Sequence, residues 1–139
     1  MSRLEAFIEP VESCAATIID EMTALNYGIT PMTLVHTDIN PSNVLIGKEM
    51  PYIIDWGSAR LGSFYLDLPH HFSTLEQADE YRVAMADRGY DIERSAFARG
   101  HVSAARYTAL RYLRWTLGDW QEDPLDKRWV RHYLGMIVQ

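Results

Sequence analysis

At 139 residues the chain is long enough to bury a proper core, and its net charge of −6 excludes the basic stripe that a nucleic-acid-binding surface requires. A content of 47% hydrophobic and 23% charged residues is ordinary globular composition and excludes a disordered chain. The single cysteine, Cys14, excludes an internal disulfide, and no run approaches the ~20 apolar residues of a membrane span.

The expectation is therefore one domain over residues 1–139, cytoplasmic, with neither nucleic acid nor membrane as partner. Arg3, followed by the charged and proline-interrupted stretch from Glu5 to Glu12, does not read as a signal peptide. Acidity also suits a cationic small-molecule substrate.

Pro10 fits the first turn of a helix, where its missing N–H costs nothing. Val11, Cys14, Ala15, Ile18, Met22 and Leu25 then recur at helical spacing up to Gly28, which is placed to end the run, and Cys14 falls on the apolar face as a core thiol. Thr33 to His36, Val44 to Ile46 and Tyr52 to Asp55 read as short strands, the last two joined as a hairpin through Gly47–Pro51. Asn40 before Pro41 biases the intervening loop into a turn.

Arg60 to Phe72 reads as loop and short helical turns. Ser73 with Glu76, or Thr74 with Gln77, forms a capping box opening a helix that stops near Gly89. Asp91 is placed to cap a long helix running to about Leu117, with Phe97, His101, Ala105, Thr108, Tyr112 and Trp115 on its inward face. A break at Gly118–Pro124 precedes a last amphipathic helix from Asp126 to Val138. One helix, a small set of strands and then helices only predict a mainly α-helical α+β fold.

The chemistry gathers between residues 34 and 57. Two β-branched runs flank a polar loop holding His36, Asp38 and Asn43, and a third run delivers Asp55 into the turn at Gly57. A carboxylate at the end of an apolar strand is costly unless a cation or hydrogen-bond donor meets it. Oxygen-bearing side chains gathered at strand ends suit a hard cation such as Mg²⁺ together with a base.

His36-Thr-Asp38-x-x-x-x-Asn43 resembles the catalytic loop of the kinase superfamily, and Asp55-Trp-Gly57 resembles its metal-binding turn. Pro41 and Ile54-Asp55-Trp56 bring the likeness closest to the aminoglycoside phosphotransferase family, and Gly62 through Asp67-Leu68 resembles that family's G-x-x-x-x-D-L segment. The likeness covers about Leu34 to Leu68. It implies the C-terminal lobe of a protein-kinase-like fold, with the N-terminal nucleotide lobe missing from these residues. Lys48 follows the loop, so by chain order it is not that lobe's strand lysine.

The implied activity is Mg²⁺-dependent transfer of the γ-phosphate of ATP, or another nucleoside triphosphate, to a hydroxyl of a small molecule. The resemblance implies Asp38 as the acceptor of the hydroxyl proton, and Asn43 and Asp55 as metal ligands. It implies His36 and Asp67 as structural supports, with Trp56 as an apolar anchor. Gly57 permits a close turn after Asp55. Thr37 stands where the family usually has glycine, so a positive φ at that position would strain the loop. Asn40 replaces the usual His or Lys and is placed to hydrogen-bond near the γ-phosphate.

Asp119, Glu122 and Asp123 lie where acidic residues of aminoglycoside-modifying relatives meet substrate ammonium groups, and Tyr107, Tyr112, Trp115 and Trp120 supply an aromatic wall or core packing. The arginines from Arg94 to Arg114 read as a solvated helix face. Two alternatives stand beside the kinase. One is a non-catalytic stand-alone lobe acting as a binding or dimerisation module, whereas the kinase reading is incomplete without an N-terminal lobe from a separate chain, a homodimer or a longer parent protein. The other is a metal hydrolase using His36, Asp38 and Asp55.

Overall fold

The computed structural model describes residues 5–27, 32–72, 74–116 and 127–138. In chain order these form helix α1 (Glu5–Tyr27), strands β1 (Thr33–Val35), β2 (Val44–Ile46), β3 (Pro51–Ile53) and β4 (Arg60–Gly62), then helices α2 (Leu75–Ala86), α3 (Arg94–Thr116) and α4 (Arg128–Ile137). The fold is mainly helical with a few short antiparallel strands, as an α+β reading expects. No helix among the described residues is long and apolar enough to cross a membrane.

The core follows α3. Ala105, Ala109 and Leu113 on one stretch of it pack against Cys14 of α1 and Val130, Leu134 and Ile137 of α4. Phe97 and Ala104 pack with Tyr65, Leu68 and Ala78. A third cluster joins Ile18 and Met22 of α1 to Val35 of β1 and to Leu66, with Leu25 and Leu110 bridging it to the other two. Strand β1, which leads into the loop at His36–Asn43, is thus fixed through Val35, 1% exposed, directly onto the longest helix pair.

Three boundaries depart from the sequence expectation. Helix α1 begins at Glu5, and Pro10 lies inside it; Phe7 and Val11 both pack against the α3–α4 cluster, and that burial holds the extra turn despite the missing N–H. The cap of α3 is Glu93, two residues past Asp91. Its carboxylate accepts from the N–H groups of Ser95 and Ala96, each at 2.9 Å, and also from the Ser95 hydroxyl, which together hold its pKa down at about 2. The stretch after Gly57 yields a fourth strand, β4, which pairs antiparallel with β1 from Thr33 opposite Gly62 to Val35 opposite Arg60.

Elsewhere local chemistry acts as expected. Thr74 Oγ1 accepts from the Gln77 N–H and caps α2, whereas Ser73 lies outside the described residues. Gly89 takes φ +89° just past the end of α2, a conformation that other residues rarely adopt. Strands β2 and β3 form the hairpin, Val44 opposite Ile53, closed by the Gly47 N–H donating to Met50 O. A Cβ at Gly47 would lie 2.8 Å from that same carbonyl, so the tight turn needs glycine.

Candidate active site

The loop between β1 and β2 is a buried scaffold carrying a half-exposed carboxylate. His36 and Thr37 are 1% and 4% exposed, whereas Asp38, Asn40 and Asn43 are half-buried. Asp67, in the turn of 3₁₀ helix at Phe64–Asp67, places both carboxylate oxygens on this backbone. Oδ2 accepts from the His36 N–H at 3.0 Å and Oδ1 from the Thr37 N–H at 2.7 Å.

Thr37 has φ 64°, a left-handed conformation that costs a β-branched residue roughly 1–2 kcal/mol. Four hydrogen bonds hold it there. Besides the bond to Asp67, its hydroxyl donates to Ser58 O at 3.0 Å, and Arg111 Nη1 donates to both its carbonyl and its hydroxyl oxygen at 3.2 and 3.3 Å.

His36 ties this loop to the β3 turn. Its Nε2 donates to Ile54 O at 2.8 Å, while Nδ1 accepts from the Asp38 N–H at 3.3 Å, so protonation at Nε2 alone satisfies both. Trp56 meets the same ring edge-to-face at 4.9 Å and donates from Nε1 to Ile53 O. Trp56 is nonetheless 46% exposed, so it braces the turn from outside and is no buried anchor.

Asp38 is surrounded by donors. The Tyr112 hydroxyl and Asn40 Nδ2 both donate to Oδ1, and Asn43 Nδ2 donates to Oδ2 at 3.4 Å and to the Asp38 carbonyl at 2.8 Å. Partial burial pushes the Asp38 carboxyl up. The hydrogen bonds from Tyr112 and Asn40, with the charges of His70 and Arg111, outweigh it and leave the pKa below the ordinary value. Burial first, then the bond to Asp38, drives the Tyr112 phenol up, so it stays a donor at any working pH.

Asn40 is used up within the loop. Its Oδ1 caps the 3₁₀ turn at Pro41–Asn43 by accepting from the Ser42 N–H and hydroxyl, and its Nδ2 serves Asp38; it does not face outward toward a phosphate.

With its amide nitrogen committed to Asp38, Asn43 keeps Oδ1 for a ligand. The Asn43 carbonyl also accepts from the Ile54 N–H at 3.0 Å, which seats Asp55 one residue beyond the junction of loop and strand. Asp55 has φ 62° and is exposed, and its carboxylate caps nothing. The left-handed residue of the turn is therefore Asp55 itself. At Gly57 an added Cβ would find only Asp55 Oδ1, at an ordinary 3.6 Å.

An amide oxygen and a carboxylate, both without competing donors, are the hard ligand types Mg²⁺ takes. Among the described residues no three His, Cys, Asp or Glu side chains gather as a metal site. Both ring nitrogens of His36 are engaged, which removes it as a ligand and with it the hydrolase alternative.

Asp119, Glu122, Asp123 and Trp120 lie outside the described residues. Tyr107 turns from the loop to accept from Arg60 at 2.9 Å, so it is no part of an aromatic wall there. Tyr112 and Arg111 are the site residues that local sequence reading misses: both come 74 residues after the loop residues they hold. Their helical spacing from Thr108 and Trp115 placed Tyr112 on the inward face but gave no sign of its partner. Arg111, read as part of a solvated face, instead reaches Thr37.

Replacing Tyr112 by Phe is expected to raise the titration midpoint of Asp38, since the lost hydroxyl is the strongest influence holding the carboxyl down. Carboxyl-carbon NMR of the Asp38 signal between pH 2 and 7 measures it. An unmoved midpoint would show that Tyr112 serves packing alone.

The loop thus carries a carboxylate held by a tyrosine and two amides, and the Asn43 amide oxygen and the Asp55 carboxylate are left without hydrogen bonds. The phosphotransferase enzyme family matches residues 3–104, and the chain belongs to this aminoglycoside phosphotransferase-like family of the kinase-like superfamily. Neither the curated proteins nor the solved structures compared with the chain give a match.

Proposed function

We propose that the chain is the C-terminal, catalytic lobe of a small-molecule kinase that moves the terminal phosphoryl group of a nucleoside triphosphate to a hydroxyl. One observation carries this reading. Asp38 is held ionised and aimed by Tyr112, Asn40 and Asn43 on the same loop whose Asn43 Oδ1 and neighbouring Asp55 are left without hydrogen bonds.

Asp38 accepts a hydrogen bond from the acceptor hydroxyl and takes its proton as that oxygen bonds to phosphorus and the bond to the leaving diphosphate breaks. A carboxylate of low pKa suffices, because the hydroxyl becomes acidic only as the new bond forms. Asn43 and Asp55 would hold Mg²⁺, which when bound neutralises charge on the phosphate oxygens. His36, Thr37 and Asp67 take no part in proton transfer; they keep Asp38 in register with Asp55.

The strands beside this loop present an apolar layer to solvent: Leu34, Leu45, Ile46, Tyr52 and Leu61 are each at least 50% exposed. That layer is the surface on which a nucleotide-covering lobe, or a second copy in the binding-module alternative, would rest. The lobe alone is expected to bind Mg·ATP weakly, so transfer from radiolabelled ATP to a panel of hydroxyl compounds tests the reading with a nucleotide-covering lobe supplied, activity being expected in Mg²⁺ and abolished by EDTA. Transfer that persists undiminished in EDTA would contradict it.

A further inference from the structure

Beside Asp38 a cleft of about 400 Å³ opens between α3 and α4, large enough for a small organic ligand. Four of its described lining residues are tyrosine or tryptophan, beside polar residues of the loop such as Asp38, Asn40 and Ser42. Tyr112 and Tyr133 stack at 5.4 Å between ring centres, and Trp115 and Trp129 complete the lining from the two helices. The tyrosines are packed, but the tryptophans are not: Trp115 is 80% exposed and Trp129 59%.

Neither tryptophan belongs to a core cluster, and α4 docks through Val130, Tyr133, Leu134 and Ile137 instead. Two indoles left open on facing helices, at the mouth of a cleft that ends on a carboxylate, offer flat surfaces for a flat ligand. All four rings lie beyond residue 104, outside the stretch shared with the family.

Charge is sparse along the described part of the cleft. Asp38 is the only carboxylate among the described residues lining the cleft. The guanidinium of Arg111 stands over Tyr112 and that of Arg128 over one face of Trp129, each at 5.7 Å, and neither arginine is among the described lining of the cleft. The histidines in the wall, His70 and His132, are held toward the neutral form chiefly by burial. A neutral planar ring system would meet indole and phenol faces, with its hydroxyl directed to Asp38.

We infer that the acceptor of this site is a planar aromatic or conjugated compound bearing a hydroxyl, held by Trp115 and Trp129. The inference rests on the phosphotransfer reading above. The test follows the indole N–H signals of Trp115 and Trp129 by NMR while the chain is titrated with 2-naphthalenemethanol, cyclohexanemethanol or the polyamino sugar neomycin.

The expected result is saturable movement of both signals by 2-naphthalenemethanol, with affinity about tenfold or more above that for either other probe. The double variant Trp115→Ala/Trp129→Ala should lower that affinity at least tenfold with an unchanged circular dichroism spectrum, because both side chains are exposed. Tighter binding of neomycin, or 2-naphthalenemethanol affinity within twofold in the double variant, would overturn the inference. A separate arm supplies Mg²⁺ and ATP. Phosphorylation of neomycin in preference to 2-naphthalenemethanol would overturn the aromatic acceptor while upholding phosphotransfer. Tryptophan-dependent binding of 2-naphthalenemethanol, with no phosphorylation of any hydroxyl compound even when a nucleotide-covering lobe is supplied, would overturn the phosphotransfer reading itself.

Discussion

Asp38→Asn is expected to lower phosphoryl transfer by about 10²–10⁴-fold, the range a positioned general base contributes, while leaving the fold intact. The amide is the same size and still reaches the hydroxyl, but it cannot take the proton. Stability should change little. Oδ1 now receives donation from the Tyr112 hydroxyl and Asn40 Nδ2, and an asparagine oxygen in that place accepts both. The amide nitrogen then falls at Oδ2, where only the 3.4 Å contact from Asn43 is lost. The split identifies a catalytic role: turnover collapses, but the melting temperature and the affinity for the acceptor do not. A variant that kept a third or more of wild-type turnover would remove Asp38 from the chemistry.

Asp67→Ala is expected to act in the opposite way, through structure. Each Asp67 oxygen satisfies one backbone N–H, at His36 and Thr37, in a segment that is almost wholly buried. Truncation leaves two buried donors without partners, a loss of roughly 2–4 kcal/mol. It also frees Thr37 from one of the bonds that hold it at φ 64°. Relaxation of Thr37 toward negative φ would rotate the following residue and take Asp38 from Tyr112. Denaturant unfolding should therefore show an unfolding free energy lowered by that amount, and the Asp38 environment should change with it. Destabilisation below about 1 kcal/mol would mean that water replaces the carboxylate and that the brace is dispensable.

How much of this the chain announces depends on how local each interaction is. His36, Asp38, Asn43 and Asp55 stand within twenty positions of one another, and β-branched runs mark the strands on either side, so their order is readable. The Thr37 substitution is readable too, because a β-branched residue in a glycine position has only strained options there, and φ 64° is what the loop adopts.

Strand β4 was not readable. It is three residues long, and Leu61 at its centre is 67% exposed, so no alternation marks it; only the partner strand β1 defines it. Pro10 misled because a proline suggests a helix start, while the burial of Phe7 that extends α1 is a tertiary effect. Glu93 displaced Asp91 because a longer side chain can reach back to the free N–H groups as a shorter one does directly. Arg111 and Tyr112 lie farthest from legibility. A phenol meets a carboxylate across 74 residues of chain only once α3 has packed along α1 and α4.

Asn43 and Asp55 are proposed to hold a divalent cation on the loop that carries Asp38. Replacing Mg²⁺ with paramagnetic Mn²⁺, in the presence of ATP, makes the cation report its own position through the broadening of nearby amide NMR signals. The expected result is broadening concentrated at residues 38–43 and 54–57, lost in Asp55→Ala, with α2 and α4 unaffected. Broadening centred elsewhere, or unchanged by Asp55→Ala, would contradict the account.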